Sequence, residues 1–114
     1  MLCHRHFQQK IASLTELGVS DVIIDPGFGF SKTLDQNYEV LKNLSYFKAL
    51  EKPILVGLSR KSMIYKLLDI DPERAILGTA ITNYAALENG ARILRVHDVK
   101  EAIDTIKIYS KIEH

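Results

Sequence analysis

Pro53-Ile54-Leu55-Val56-Gly57-Leu58-Ser59-Arg60-Lys61-Ser62 carries the chain from an unbroken apolar run into a cluster of polar and basic side chains. A short run that does not alternate apolar with polar residues reads as a buried strand of a parallel sheet. Pro53 breaks the chain ahead of it, so a strand is expected over 54–59 and a helix over about 60–68.

Two further stretches share this grammar. Residues 21–25, Asp-Val-Ile-Ile-Asp, form a β-branched run ended by Pro26-Gly27, and residues 91–97, Ala-Arg-Ile-Leu-Arg-Val-His, form the last expected strand. Helical spacing fills the intervals. Phe7, Ile11, Leu14 and Leu17 mark a helix closed by Gly18. Tyr38, Leu41, Leu44 and Phe47 mark a second, with Asn37 or Asp35 as its cap. Asp71-Pro72-Glu73 begins a further helical turn. Residues 76–87 are ambiguous: Gly78 and Thr79 suggest a very short strand end, and the rest suggests a helix closed by Gly90. Ile103, Ile106 and residues 108–112 belong to a C-terminal helix.

The resulting order, α-β-α-β-α-(β)-α-β-α, predicts an α/β fold with a parallel sheet. Four units in 114 residues average about 28 residues each, close to the repeat of an eight-unit TIM barrel of about 250 residues. The chain is too short for a whole barrel. No Gly-x-Gly-x-x-Gly turn or Walker sequence supports a nucleotide-binding fold instead.

Composition narrows the functional classes. Hydrophobic residues make up 46% and charged residues 25%, with a net charge of +1. That suits one globular domain or a piece of a larger one, and no polybasic surface for nucleic acid is present. The single Cys3 cannot form an internal disulfide, which predicts a reducing, cytoplasmic setting. No apolar run reaches the ~18 residues needed to span a bilayer, and the first residues lack the apolar centre of a signal peptide. Met1 sits directly against a segment with helical spacing, an unusual start for a natural domain.

Each expected strand ends in polar residues: Asp25 on the first, Ser59-Arg60-Lys61 on the second, Arg95 with His97 and Asp98 on the third. In parallel α/β architectures the carboxyl ends of the strands build the site. Charge delivered there from three strands is costly to bury unless it is paired or ligand-bound. Ionised Asp25 only accepts hydrogen bonds, which suits the amino and ring-nitrogen edge of a pterin or guanine. Its structural alternative is a turn carboxylate that holds the N–H of Gly27 or Gly29. Gly27-Phe28-Gly29-Phe30 permits a tight loop near a ligand, with one ring covering the ligand and the other packed beneath. Lys32 reaches toward solvent or phosphate. Ser59-Arg60-Lys61-Ser62 places a basic pair at a helix N-terminus, where the dipole alone disfavours cations, so an anionic or acceptor-rich partner is expected. Arg95 and His97, two apart on an extended strand, share a side and suit phosphate oxygens. The structural alternative pairs Arg95 with Asp98 or Asp25. His4, His6 and His114 near the termini offer no zinc spacing, and no Ser-His-Asp triad is evident.

At these motifs the sequence resembles the bacterial dihydropteroate synthases. The matching strings are Ile24-Asp25-Pro26-Gly27-Phe28-Gly29-Phe30 with Lys32, then Gly57-Leu58-Ser59-Arg60-Lys61-Ser62, then Arg95-Val96-His97-Asp98-Val99. The resemblance runs from about Phe7 to the C-terminus. It implies the C-terminal half of a TIM (β/α)8 barrel, roughly strands five to eight with their helices. It also implies condensation of 6-hydroxymethyl-7,8-dihydropterin diphosphate with p-aminobenzoate, releasing pyrophosphate. Asp25 would hold the pterin ring, Lys61 its ring and carbonyl region, and Arg95 with His97 the diphosphate. Lys61, Arg95 and His97 would be the catalytic groups, acting by charge stabilisation and not as nucleophiles. Phe30 and Ser62 would help shape the p-aminobenzoate site, while Gly27, Gly29 and Gly57 shape the loops.

The resemblance further implies magnesium, with its protein ligand in an N-terminal half beyond this chain, and a homodimer built from the C-terminal helices. The chain is accordingly expected to be a fragment lacking substantial synthase activity alone. A pterin-binding methyltransferase domain is the nearest enzymatic rival, although a methyl donor has no diphosphate to neutralise. A non-catalytic, self-associating half-barrel is the rival from another class.

Overall fold

Ile24 and Ile54 form a parallel bridge in a computed structural model of the chain, which describes residues 9–12, 23–28, 32–59 and 61–113. The Ile24 N–H donates to the Pro53 carbonyl at 2.8 Å, and the Leu55 N–H donates to the Ile24 carbonyl at 2.7 Å. Next to this pair, β1 (Leu55–Val56) and β2 (Ile93–Leu94) run parallel, with Leu55 opposite Ile93 and Val56 opposite Leu94. The Ile24 segment, β1 and β2 therefore lie side by side in chain order and point the same way. The predicted α/β class with parallel pairing is the observed one.

The paired segments are shorter than the expected strands over 54–59 and 91–97. The main chain explains the early end of β1: the Leu58 carbonyl accepts from the Lys61 N–H at 3.2 Å, so it has left the ladder and entered a turn. Burial also differs from a strand covered equally on both sides. Ile54, Val56 and Leu58 are essentially sealed, whereas Leu55 and, beyond the side-chain-free and buried Gly57, Ser59 are only half-buried. Alternate residues of a strand face opposite ways, so one face of β1 carries the core and the other opens toward the polar strand ends.

Helices cover the sealed face. Leu41, Leu44, Phe47, Met63, Ile64 and Ala86 join Ile24, Ile54, Val56 and Leu58 in one buried cluster. The first of these helices, α1 (Leu34–Lys42), is capped by Thr33 rather than by Asn37 or Asp35. Thr33 and Gln36 make a reciprocal capping box, with Gln36 N donating to Thr33 Oγ1 at 3.1 Å and Thr33 N to Gln36 Oε1 at 2.9 Å. Both orphan N–H groups are thereby satisfied; Asp35 sits inside the first turn and Asn37 is buried within the helix. The stripe from Tyr38 to Phe47 continues into a 3-10 helix, Leu44–Leu50, which ends at Glu51 in the left-handed region.

Beyond β1 come α2 (Ser62–Leu68), a 3-10 turn Pro72–Arg74 preceded by Asp71, and α3 (Ile76–Glu88). The short strand end expected at Gly78 and Thr79 does not exist; both residues lie inside α3. Their hydrogen bonds show why a helix wins. Thr79 Oγ1 donates to the Ala75 carbonyl at 2.6 Å, and Thr82 Oγ1 to the Gly78 carbonyl at 3.0 Å, each four residues back. Gly78 is there for packing: a Cβ on it would lie 2.5 Å from Ile64 Cγ2 on α2. Among the described residues the chain thus supplies three parallel strand segments, not four.

A Schellman motif ends α3, with Gly90 at φ +109° as expected of the closing glycine. Ala91 N donates to the Ala86 carbonyl at 2.9 Å and Gly90 N to the Leu87 carbonyl at 3.2 Å. The C-terminal helix α4 (Val99–Glu113) follows β2. It buries Ala102 and Thr105, and Tyr109 meets Tyr84 of α3 edge-on, with centroids 5.8 Å apart. No helix among the described residues is long and apolar enough to cross a membrane. Of the helix expected over 7–17, only 9–12 are described, and they are helical.

Candidate functional site

Asp25 follows directly on the Ile24 bridge, so the sheet delivers its carboxylate to the carboxyl end of the first strand segment. Oδ1 accepts from the Gly27 N–H at 3.0 Å, which needs the chain to fold back at once. Gly27 does so at φ +74°, where a side chain would be strained. The other oxygen, Oδ2, lies 3.7 Å from Nη1 of Arg95. Both structural alternatives considered for Asp25 and Arg95, the turn carboxylate and the ion pair, are thus realised. Neither exhausts the groups: their side chains remain 42% and 63% exposed, open to a ligand.

Lys61 is the N-cap of α2, in extended geometry, with no side-chain cap bond. Its ammonium turns back and donates to the carbonyl of Phe28, which pins the Asp25–Phe28 loop against the start of α2. Phe28 itself is buried in the core, as expected for one ring of the loop. Partial burial holds the Lys61 ammonium below the usual lysine pKa; Arg95 and, more weakly, Lys32 act in the same direction, while Asp25 opposes them. The carboxylate alone does not offset the neighbouring cations. A group of this kind gains from an anion placed among them.

Arg95 and His97 leave β2 at the same end. The Arg95 N–H still donates to the Val56 carbonyl at 2.9 Å, so its backbone is fixed by the sheet. The His97 N–H donates to the hydroxyl of Ser59 at 3.1 Å. Gly57, Ser59, Lys61, Arg95, Val96 and His97 line one cavity of about 170 Å³. Ser62 occupies the first turn of α2 beside it and is half-buried.

The structure therefore gathers Asp25, Gly27, Gly57, Lys61, Arg95 and His97 at one end of three parallel segments, with Ser62 adjacent. Gly29, Phe30 and Arg60 lie outside the described residues. Sequence reasoning placed Ser59 in the polar string at the strand end but gave it no role of its own, although its place two residues after Gly57 matches the spacing of Arg95 and His97. Among the described residues no group of three or more His, Cys, Asp or Glu side chains could hold a metal ion.

Comparison with known proteins follows the same residues. The sequence pattern described as pterin binding enzyme matches residues 2–97. The chain is 40% identical over 109 residues to the bifunctional dihydropteroate synthase/dihydropteroate reductase of Helicobacter pylori, covering 96% of this chain and 29% of that protein. It is likewise 40% identical over 107 residues to the dihydropteroate synthase of Escherichia coli K12, covering 92% of this chain and 38% of that protein. A solved structure of the Yersinia pestis enzyme with a pterine-sulfa conjugate superposes with a TM-score of 0.92 at 39% identity, covering 97% of this chain and 44% of the other. The chain thus spans between 29% and 38% of the length of these curated relatives.

Proposed function

The chain belongs to the pterin-binding enzyme family, and on that premise we propose that it carries part of the active site of a dihydropteroate synthase. The observation that carries the proposal is the convergence of Asp25, Lys61 and Arg95: an exposed ion pair of 3.7 Å flanks a lysine whose pKa is lowered by burial and by the Arg95 charge. In architectural terms the chain forms the C-terminal part of a TIM barrel. Three strand segments in place of the expected four correspond to strands six to eight, because the unit counted at Gly78 and Thr79 is a helix.

The chemistry follows from the groups. Asp25 accepts N–H groups from the pterin edge, with Gly27 fixing the carboxylate's angle. Lys61 lies between loop and cavity and faces the ring's carbonyl region. Arg95 and His97 hold the diphosphate oxygens, and Ser62 borders the p-aminobenzoate subsite, to which the family resemblance alone assigns Phe30. The bond between the pterin methylene carbon and the diphosphate oxygen breaks, the aromatic amine nitrogen bonds to that carbon, and one amine proton leaves. Charge accumulates on the departing pyrophosphate, where Arg95, His97 and Lys61 stabilise it most. No enzyme nucleophile takes part. Magnesium, implied by the family resemblance, would meet the diphosphate oxygens; the described residues offer no ligand cluster for it.

A second copy of the chain is the proposed protein partner. Val99, Ile103 and Ile106 expose an apolar stripe at helical spacing on α4, and Leu77 and Ile81 do so on α3. A cytoplasmic setting accords with the single cysteine.

The test is pyrophosphate release from pterin diphosphate and p-aminobenzoate. The intact protein should turn over, and its Arg95→Ala variant should lose at least about tenfold in kcat/KM, the order expected for a lost charged contact to the transition state. The 114-residue chain by itself should fall far below a full-length relative; comparable turnover would defeat that expectation.

A further inference from the structure

Gly57 and Ser59 stand two apart at the end of β1, and Arg95 and His97 stand two apart at the end of β2. The pairing of Leu55 with Ile93 and Val56 with Leu94, carried onward, sets Gly57 beside Arg95 and Ser59 beside His97. The contacts agree with that register at both positions.

At the first, the Arg95 guanidinium lies over the bare Cα of Gly57. A Cβ there would fall 2.7 Å from Nη2, 3.0 Å from Nε and 3.1 Å from Cζ. Any side chain at 57 must push the guanidinium away. The displaced atoms are the far end of a flexible, largely exposed side chain, so the fold survives the change and the position of the charge does not.

At the second position the ladder is prolonged by a side chain. The β2 segment donates to the chain around β1: Arg92 N and Ile93 N share the Ile54 carbonyl at 2.9 and 3.2 Å, and Arg95 N reaches the Val56 carbonyl at 2.9 Å. His97 would next reach the Leu58 carbonyl, but that group accepts from Lys61 N at 3.2 Å as the chain turns into α2. The Ser59 hydroxyl takes its place at 3.1 Å. One serine thus lets the main chain turn to present Lys61 while His97 stays tied to the sheet.

We propose that Gly57 and Ser59 are positioning residues, Gly57 seating the Arg95 guanidinium and Ser59 fixing the His97 backbone, so that the guanidinium and the imidazole both meet the leaving diphosphate. This rests on the reading of Arg95 and His97 as the diphosphate-binding pair.

Titration calorimetry of the intact protein with inorganic pyrophosphate separates the two levels. Arg95→Ala and Gly57→Ala should each weaken binding by about tenfold, and Gly57→Ala should add less than about twofold in the Arg95→Ala background, since the coupled pair is non-additive. The thermal midpoint of Gly57→Ala should stay near that of the parent. Ser59→Ala should weaken binding and Ser59→Thr should restore it. If Arg95→Ala costs nothing, the diphosphate reading fails and the proposal fails with it. If Arg95→Ala costs affinity but Gly57→Ala does not, or the two losses multiply, the seating role alone is overturned. A Ser59→Ala variant that binds like the parent overturns the role of Ser59.

Discussion

The Asp25 carboxylate is shared between two neighbours, its Oδ1 fixed by the Gly27 N–H and its Oδ2 only 3.7 Å from the Arg95 guanidinium. An exposed pair of this kind contributes about 0–1 kcal/mol to stability, while a charged hydrogen bond to a ligand is worth about 1.5–3 kcal/mol. Function and fold should therefore separate at this residue. Asp25→Asn keeps an acceptor for Gly27 but loses the charge and one acceptor oxygen. Pterin affinity of the intact protein should fall about ten- to 150-fold, with unfolding free energy changed by less than about 1 kcal/mol. Calorimetric titration beside urea denaturation reads both quantities; unchanged pterin affinity would remove Asp25 from the site.

The proton on Lys61 gives a second handle. Burial and the Arg95 charge lower its pKa in the folded protein, so the unfolded chain binds that proton more tightly. In the alkaline window between the folded and unfolded values, stability contributed by this group rises with pH, because the unfolded state carries more bound protons there. A bound diphosphate adds negative charge and raises the folded value. Binding in that window should take up protons, and Lys61→Gln should abolish the uptake. Calorimetry in buffers of different ionisation enthalpy measures it; equal uptake in Lys61→Gln would assign the proton elsewhere.

Gly78 shows where the sequence was legible and where it was not. The residues around it read equally as a strand end or a helix, and local composition offered no way to decide. The helix is carried by the Thr79 and Thr82 hydroxyls bonding back to the Ala75 and Gly78 carbonyls, and the glycine answers to a tertiary contact: Ile64, buried in the core, occupies the space a Cβ at 78 would need, at 2.5 Å. The strand-end chemistry was easier to read. Asp25, Lys61 and Arg95 each follow an apolar run in the sequence, and runs of that kind fix the end of the sheet at which their last residues emerge. Local capping was misread at α1, since Thr33 with Gln36 makes a stronger cap than the Asp35 or Asn37 inside the first turn. The interplay of Gly57 with Arg95 required the register, which no single strand carries.

The same glycine yields a stability prediction. Alanine in a helix interior is favoured over glycine by about 1 kcal/mol, so propensity alone would make Gly78→Ala stabilising. Overpacking a filled contact costs about 1–3 kcal/mol, and the γ-branch of Ile64 is stiff and fully buried. The variant should therefore be destabilised by up to about 2 kcal/mol. Ile64→Val keeps the offending methyl carbon, whereas Ile64→Ala removes it. The pair Gly78→Ala with Ile64→Ala should accordingly lose less than the sum of the singles in urea denaturation, and strict additivity would rule out the steric account.

Self-association is testable on α4. Val99, Ile103 and Ile106 lie at spacings of four and three, all exposed in the single chain, while Ala102 and Thr105 turn inward. A helix that already has a buried face has no reason within its own chain to expose this second apolar one. In the intact protein, Ile103→Glu should shift sedimentation from dimer toward monomer. Substitution of an exposed residue changes monomer stability by only about 0.5 kcal/mol, so a folded monomer is the expected product. The thermal midpoint of the parent should rise with protein concentration, as mass action requires of a dimer, and that dependence should vanish in the variant. A parent that sediments as a monomer at every concentration would reject this stripe as an interface between copies.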